Sequence, residues 1–352
     1  MRSEVDYILS DFFRLKQFFR LQPPIITSSD CEGAGEVFGV TGTTAQSAVA
    51  ESAAHNDDRD QFFHTQKYLT VSSQLHLEAF IHEHPKAWTL SPTFRAERSD
   101  TPRHVSEFWM LEAELRTQTL DDVLNIVEEM LRTLVDGLLK TTILDEILHV
   151  KQKARRRKDE NEMPNLRFRW DSLRRPFWPR IKYDDAIGLL QNAASVGGAS
   201  FLHDPSMNGL HLEHERWLAA TIGKDGPVFV THYPQSIKPF YMLPTPTTQG
   251  SHEYPTMECF DLLIPEYCEI VGGSLREHRL DALLQAMHRR EINGPIPGSP
   301  GNLDWYIDLR RYGSVPHGGF GLGLDRLLGF LAGVENVKDV VSWPRYYGRC
   351  DG

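Results

Sequence analysis

The order of apolar and polar residues predicts alternating helical and extended segments from the N-terminus onward. Residues 3–20 carry apolar side chains at near-helical spacing, and Pro23 and Pro24 end that pattern. The following Ile-Ile-Thr at 25–27 is typical of a short strand. Residues 41–60 are small and polar, which predicts a surface insertion.

The clearest helix is predicted over residues 120–149. Thr119 and Asp122 form a start that resembles a capping box. One apolar stripe then follows the helical repeat through Leu120, Leu124, Val127, Leu131, Leu134 and Leu138. Such a stripe is typical of a helix that packs one face against a core.

Strand-like runs are concentrated near the middle and in the C-terminal third of the chain. Two of them, Tyr68–Val71 and Ala87–Leu90, flank a helical pattern at 74–81. Further helices are predicted at 275–291 and from near Gly321. The later strand-like runs are Val228–Thr231, Met257–Ile264, Glu269–Val271 and Trp305–Leu309. Strands joined by hairpins and long excursions favour an α+β domain over residues 1–352, with an antiparallel sheet flanked by helices.

The segment 151–226 is the least regular part of the pattern, and we interpret it as an insertion or a peripheral segment. It opens with the charge run KQKARRRKDENE at 151–162, which has no apolar face. Such a run is typical of a solvated loop or helix end, and contact with a nucleic-acid backbone is the alternative. Residues 163–226 are rich in Trp, Pro and Gly.

Composition narrows the class of protein. Of the 352 residues 40% are hydrophobic, and the net charge is −10, so any nucleic-acid contact would need a local basic patch.

No run approaches the roughly 18 apolar residues of a membrane helix, and the N-terminus resembles neither a secretory signal nor a transit peptide. The four cysteines form no CxxC pair, which argues against structural zinc and favours a reducing compartment. We expect the cytoplasm, with the mitochondrial matrix as the alternative.

A long hairpin at 92–115 carries the first candidate chemistry. Arg95, Glu97, Arg103 and His104 lie on or near its polar tip. Three cations around one loop suit a triphosphate, because guanidinium groups match phosphate oxygens in pairs. A salt-bridged surface hairpin is the alternative interpretation.

Glycines and one arginine mark a second candidate at 318–331. Four glycines precede an apolar helix that carries Arg326. The spacing is weak support for a dinucleotide fold, because a third spaced glycine is missing. Burial of the arginine requires an anionic partner, either a structural carboxylate or a ligand phosphate.

Two carboxylates mark a third candidate at 260–279. Asp261 and Glu269 flank a short hairpin-like stretch and are candidate Mg²⁺ ligands if a polyphosphate completes the coordination. Ion pairing with Arg276 and Arg279 is the alternative.

Taken together and in this order, the three segments resemble the motifs of class II aminoacyl-tRNA synthetases. Pro24 resembles the proline of motif 1, residues 94–108 resemble motif 2, and residues 319–327 resemble motif 3. The resemblance extends from residue 2 to residue 350. It implies the class II catalytic fold and activation of an amino acid by ATP.

Within this class the chain resembles the aspartate/asparagine/lysine subgroup, and its signature-like pieces are most similar to asparaginyl members. These pieces are SSDCEGAGEVF, YLTVSSQLHLEAF, YPQSIKPFYM, GGSLREHR and WYIDLRRYGSVPHGGFG. Aspartyl members carry a lysine shortly after the equivalent of Gln74, where this chain has Leu77. The resemblance therefore implies asparagine as substrate, with an aspartyl enzyme or an asparagine synthetase-like paralogue that activates aspartate as alternatives.

The resemblance also implies roles for individual residues. Arg95 would hold the α-phosphate and the substrate carboxylate, and Arg326 the γ-phosphate. The remaining ATP contacts would come from Glu97, Arg103, His104, Phe108 and Gly323. Asp261 and Glu269 would hold Mg²⁺. Glu32 and Gln74 would bind the α-ammonium of the amino acid, and Arg276, with Glu107 or Glu112, would bind its side-chain amide.

Partners and domain content follow from the same resemblance. It implies ATP and Mg²⁺ as cofactors, the acceptor end of tRNA(Asn) as a partner, a homodimer formed through motif 1, and no membrane association. Full-length members begin with an anticodon-binding OB domain, and this sequence starts almost at motif 1. We therefore expect weak and poorly selective tRNA binding.

Overall fold

The computed structural model describes residues 1–28, 37–42, 62–63, 66–155, 166–246, 254–290 and 303–351. The helices in this part of the chain are α1 (Arg2–Leu15), α2 (Gln74–Phe80), α3 (Leu120–Leu138), α4 (Ile143–Arg155), α5 (Leu166–Leu173), α6 (Tyr183–Ser195), α7 (Leu212–Thr221), α8 (Leu280–Arg289), α9 (Asp304–Arg311) and α10 (Leu324–Ala332). The strands are β1 (Phe19–Arg20), β2 (Ile26–Thr27), β3 (Gly39–Val40), β4 (Lys67–Leu69), β5 (Lys86–Phe94), β6 (Glu107–Arg116), β7 (Arg180–Lys182), β8 (Val228–Thr231), β9 (Cys259–Ile264), β10 (Cys268–Leu275) and β11 (His317–Gly323).

An eight-stranded sheet forms the centre of the fold, in the order β1-β5-β6-β11-β10-β9-β8-β7. Every pair among its six inner strands is antiparallel, while the edge strands β1 and β7 pair in parallel with β5 and β8. The predicted α+β fold is confirmed, with the qualification that the sheet is mixed at its edges. A small antiparallel sheet, β2-β4-β3, is separate from it.

The two faces of the large sheet differ in chemistry because side chains alternate along each strand. One face of β6 presents Leu111, Ala113 and Leu115, which are buried in the main core with the apolar stripe of α3. The opposite face of the same strand presents Phe108, Met110, Glu112 and Glu114. The polar face of the sheet is therefore the place where functional side chains can gather.

Residues 166–226 contribute to both cores of the protein. Trp170 and Trp178 are buried in the main core, whereas Tyr183 and Leu218 belong to a second apolar cluster with residues of α8 and α9. Strand β7 extends the large sheet by one strand. The status of 151–226 as an insertion stays a prediction, and its residues 156–165 lie outside the described part of the chain.

Three predictions of secondary structure need correction. Trp305–Leu309, expected as a strand, lies in helix α9, where Tyr306, Ile307 and Arg310 are buried at helical spacing. The helix expected at 120–149 is two helices, because the chain turns at 139–142 between α3 and α4. Gly321 lies in β11, and the helix after it begins only at Leu324.

Two further expectations concern the periphery of the chain. The polar segment 41–60 lies almost wholly outside the described residues, so its nature as a surface insertion stays a prediction. Among the residues that the structure describes, no helix has the length and apolar character needed to cross a membrane.

Candidate functional site

Two adjoining cavities open on the polar face of the large sheet. The two cavities share several lining residues, among them Arg95 and Glu269. Arg95 and Glu269 therefore lie at the boundary between the cavities. The first cavity is lined by Glu97, Arg103, His104, Phe108, Gly323 and Arg326, among others. The second is lined by Gln74, Leu77, Glu112, Glu114, Lys238, Asp261 and Arg276, among others. Two ligands can thus meet at the boundary that Arg95 and Glu269 mark.

Three arginines from distant parts of the sequence converge on the first cavity. Arg95 follows the end of β5, Arg103 lies on the hairpin tip, and Arg326 lies in the first turn of α10. Arg103 donates to the carbonyl of Tyr267 at 3.2 Å, and Arg326 donates to the carbonyl of Glu269 at 3.0 Å. Burial and then the neighbouring Arg103 and Arg95 lower the pKa of Arg326, although Glu269 opposes this. This concentration of positive charge is suited to a polyphosphate.

The Arg95 guanidinium and the Phe108 ring lie near each other in the same cavity. The guanidinium carbon of Arg95 is 5.7 Å from the Phe108 ring centroid. Phe108 stands opposite Thr93 in the β5–β6 hairpin, so sheet pairing fixes its place. Gly323 caps α10 where β11 ends, beside the side chain of Arg326. An aromatic ring and an arginine beside open space suit a flat base.

The other two predicted ATP contacts, Glu97 and His104, form a pair on the hairpin tip. His104 Nε2 is 3.6 Å from a carboxylate oxygen of Glu97, and Arg95 is 3.9 Å from the same carboxyl group. Burial lowers the pKa of His104, and the nearby arginines add to this. His104 is therefore poised as a neutral hydrogen-bonding group rather than as a further cation.

Asp261 and Glu269 converge because of a bulge in β10. The register with β9 shifts between Glu269 and Val271, so Glu269 faces the same side as Gly272 and Asp261. A Cβ at Gly272 would lie 2.8 Å from Glu269 Oε1 and 3.5 Å from Asp261 Oδ1. A side chain at this position would displace the Glu269 carboxylate, so Gly272 leaves room for both carboxylates. Without the bulge, Glu269 would point into the main core.

The carboxylate pair fits a hard divalent cation. The Asp261 charge, and after it burial, raises the pKa of Glu269, as expected of two neighbouring carboxylates that repel each other. Burial, Glu269 and Asp261 together raise the pKa of Glu215 to about 7. Since the described residues contain no cluster of three or more metal-binding side chains, an ion here would take its other ligands from phosphate and water.

An arginine and a carboxylate form a closed pair in the second cavity. Arg276 Nε and Nη2 each donate to Glu114 at 3.0 Å, and Nη1 donates to Ser274 Oγ at 2.7 Å. Both residues are buried. A Cβ at Gly319 would lie 2.0 Å from Glu114 Oε2, so this glycine makes room for the carboxylate. The pair offers hydrogen bonds without a net charge.

A buried charge network lies directly behind that pair. Glu78 accepts from Arg310 and Tyr306 at 2.6 Å each, and His317 Nε2 lies 3.1 Å from the same oxygen. The other Glu78 oxygen lies 4.0 Å from Arg276 Nε. Burial raises the pKa of Glu78, but Arg310, His317 and Arg276 outweigh it and the pKa lies well below its ordinary value. The network holds the Arg276 side of the cavity in place.

Of the remaining residues predicted to bind the amino acid, two line the second cavity, one lies elsewhere, and one is outside the described residues. Gln74 begins α2, lines the second cavity and donates to Glu78 at 2.9 Å. Glu112 also lines this cavity, but it accepts from the hydroxyl of Ser72 and the N–H of Ser73 and so holds the start of α2. Glu107 is exposed and lines a different depression, with Trp343. Glu32 lies outside the described residues.

The second cavity contains two charged residues that the sequence analysis did not single out. On β6, Glu114 accepts two hydrogen bonds from Arg276, whereas the sequence had suggested Glu107 or Glu112 as its partner. Its place could have been found, because Glu112 and Glu114 share one face of a strand. Lys238, which contacts Asp261, lies in the signature-like piece YPQSIKPFYM and had no signal of its own.

Comparison with known proteins agrees with this arrangement. The family model described as "tRNA synthetases class II (D, K and N)" matches residues 1–347. The mitochondrial asparagine–tRNA ligase of Saccharomyces cerevisiae is 39% identical over 98% of this chain and 67% of its own length. The asparagine–tRNA ligase of Nitratidesulfovibrio vulgaris is 39% identical over 100% of this chain and 70% of its own length.

Solved structures give the same result. Asparaginyl-tRNA synthetase from Pyrococcus horikoshii, complexed with asparaginyl-adenylate, superposes with a TM-score of 0.74 at 30% identity, covering 99% of this chain and 68% of that one. The Entamoeba histolytica enzyme with the same adenylate gives 0.73 at 30% identity, covering 100% and 67%. This chain therefore belongs to the class II tRNA synthetases of the aspartate, lysine and asparagine group, and within them to the asparagine–tRNA ligase family.

Proposed function

We propose that this protein activates asparagine with ATP and Mg²⁺ and transfers the asparaginyl group to tRNA(Asn). The observation that carries the choice of amino acid is the bidentate contact between Arg276 and Glu114 in the second cavity. Asparaginyl-adenylate is bound by the two solved relatives named above. The amino acid would lie in the second cavity and ATP in the first.

The closed pair favours an amide over a carboxylate. Glu114 already neutralises Arg276, so a second negative charge would enter without a counter-charge. A side-chain amide has both a donor and an acceptor, and a carboxylate–guanidinium pair can satisfy both. Leu77, where aspartyl members carry a lysine, lines the same cavity and adds no cation. These features together support asparagine rather than aspartate.

In the first step the asparagine carboxylate attacks the α-phosphorus in line, and pyrophosphate leaves. No side chain acts as a nucleophile, so alignment and charge stabilisation supply the catalysis. Arg95, between the cavities, would hold both the attacking carboxylate and the α-phosphate. Arg103, His104 and Arg326 would bind the departing phosphates. Asp261 and Glu269 would hold Mg²⁺, which neutralises phosphate charge when bound.

In the second step a ribose hydroxyl at the tRNA 3′ end attacks the carbonyl carbon of the adenylate, and AMP leaves. This step requires the acceptor end to reach the boundary between the two cavities. The compartment stays a prediction, cytoplasm or mitochondrial matrix. The relatives include mitochondrial enzymes of yeasts and Dictyostelium and bacterial enzymes.

A homodimer through the N-terminal segment belongs to the same proposal. Helix α1 buries Val5, Leu9, Phe12 and Phe13, while Tyr7 and Leu15 remain 69% and 72% exposed. Phe19, Ile25 and Ile26, in the segment that follows α1, are also exposed. Light scattering should give twice the mass of one chain, and a monomer at micromolar concentration would contradict the dimer.

Direct detection of the product tests the proposed activity. The full chain incubated with ATP, Mg²⁺ and asparagine should accumulate asparaginyl-adenylate, which mass spectrometry identifies. Addition of tRNA(Asn) should consume it and release AMP. Failure to form any adenylate from asparagine would refute the proposal.

The choice of amide can be tested at Glu114. Glu114→Gln leaves Arg276 without its neutralising carboxylate, so aspartate should compete better. We expect the preference for asparagine over aspartate, measured as a ratio of kcat/KM values, to fall about ten- to hundredfold, since one charge-assisted hydrogen bond is lost. Glu112→Gln is the matched control because Glu112 contacts Ser72 and Ser73 instead. An equal loss of preference in both variants would contradict the assignment.

A further inference from the structure

Lys238 places an ammonium group directly on one of the two carboxylates proposed to hold Mg²⁺. Its Nζ lies 3.0 Å from Asp261 Oδ1 and 2.8 Å from Oδ2, so it contacts both oxygens. The two side chains are only 15% and 13% exposed. Nζ also lies 3.9 Å from the centroid of the buried Tyr233 ring. Lys238 therefore occupies both carboxylate oxygens of Asp261, which a divalent cation would need as ligands.

The electrostatics of this corner depend on that lysine. Asp261 and Glu269 lie side by side, because a Cβ at Gly272 would lie 2.8 Å from Glu269 Oε1 and 3.5 Å from Asp261 Oδ1. The Lys238 ammonium, in contact with both oxygens of Asp261, sets a positive charge against this pair of carboxylates. Arg95 lines the same cavity as these carboxylates, but Lys238 is the cation that contacts Asp261.

The backbone beneath the lysine is fixed independently of the pair. Arg290, which follows α8, donates to the carbonyls of Gln235 and Ser236 at 3.0 and 3.1 Å and also to that of Lys238. The segment that carries Lys238 is thus held from outside the cavity. The Lys238 side chain lines the second cavity and has a flexible four-carbon stem, so rotation of that stem is the movement that would take Nζ away from Asp261.

We propose that Lys238 is the resident counter-cation of Asp261 and must move away when a divalent cation binds. This inference rests on the proposed function, because it takes Asp261 and Glu269 as the metal ligands. Its consequence is that free metal binds weakly in the absence of ATP. The phosphates then supply both the missing ligands and a new anionic partner for the displaced ammonium.

Mn²⁺ binding measured by electron paramagnetic resonance tests this without any turnover. Lys238→Met keeps the apolar stem over Tyr233 and removes the charge. In the absence of ATP, we expect this variant of the full chain to bind Mn²⁺ at least about tenfold more tightly than the native chain, because an unpaired buried carboxylate regains a cation. Lys140→Met, an exposed lysine that lines neither cavity, is the matched control and should change nothing.

Thermal unfolding gives a second readout if the variant is less stable. Lys238→Met should lose stability in EDTA and regain it on addition of Mn²⁺, with a larger rise in Tm than the native chain shows. Equal or weaker Mn²⁺ binding by Lys238→Met would overturn the inference. The metal assignment itself is tested by a second variant. If Asp261→Asn binds Mn²⁺ in the presence of ATP as tightly as the native chain does, Asp261 is not a metal ligand. The two failures are therefore distinguishable.

Discussion

Arg95→Ala is expected to reduce asparagine-dependent ATP–pyrophosphate exchange by about 10² to 10³-fold. The reason is that Arg95 lines both cavities. Among the described residues, the other two arginines proposed to bind phosphate, Arg103 and Arg326, line only the first cavity. Loss of one preorganised donor at a developing charge has effects of this order. Because the interaction strengthens at the α-phosphorus during attack, kcat should fall more than the KM for ATP rises.

Arg98→Ala provides the matched control for that measurement. Arg98 is an exposed arginine on the same hairpin tip and lines neither cavity. Its substitution should leave pyrophosphate exchange within about twofold of the native rate, as usual for surface changes. Unchanged adenylate formation in Arg95→Ala would remove Arg95 from the proposed mechanism.

Glu78→Ala is expected to lower the free energy of unfolding by about 3–5 kcal/mol, the largest loss of stability among the variants proposed for this protein. Glu78 and Arg310 are both fully buried, and removal of the carboxylate leaves the guanidinium without its charged partner. Tyr306→Phe is the matched control, because it removes a single hydroxyl from the same network and should cost about 1 kcal/mol. Urea unfolding of the two variants measures both values, and equal losses would show that charge pairing is not what stabilises the network.

The pH dependence of stability has a definite sign at Glu78. The pKa of this carboxyl group lies below its ordinary value of 4.5 in the folded chain. Its contribution is therefore complete above that ordinary value and is lost as the pH falls towards the folded pKa. Glu78→Gln should consequently lose less stability than the native chain on acidification, because it has no such proton to take up.

Local sequence patterns predicted the strands of the sheet better than they predicted the contacts across it. The hairpin at 92–115 was predicted because its two strand-like arms and the arginines at its tip are contiguous in sequence, whereas strand β11 was missed because its glycine-rich sequence has no strand-like pattern. The α9 helix was missed because Trp305, Tyr306 and Ile307 favour strands individually. Its helical repeat becomes visible only when the buried Arg310 and its partner Glu78 are known.

In the candidate site, too, the sequence predicted which residue types matter but not which side chains contact one another. Residue type predicted that Asp261 and Glu269 act together, but only the bulge in β10 explains why they face one another. The choice of Glu114 over Glu112 depends on which glycine of β11 stands opposite, namely Gly319. A residue's cross-strand partner depends on register, and a bulge shifts that register within a strand, so residue type alone does not reveal the partner.

Amino-acid dependence of ATP–pyrophosphate exchange tests the central claim most directly. The full chain should be assayed with asparagine, with aspartate, and with aspartate plus ammonium, at equal concentrations of ATP and Mg²⁺. Exchange is expected with asparagine and should be at least about a hundredfold slower with aspartate, with or without ammonium, because the Arg276–Glu114 pair has no spare positive charge. Exchange with aspartate alone and none with asparagine would contradict the account.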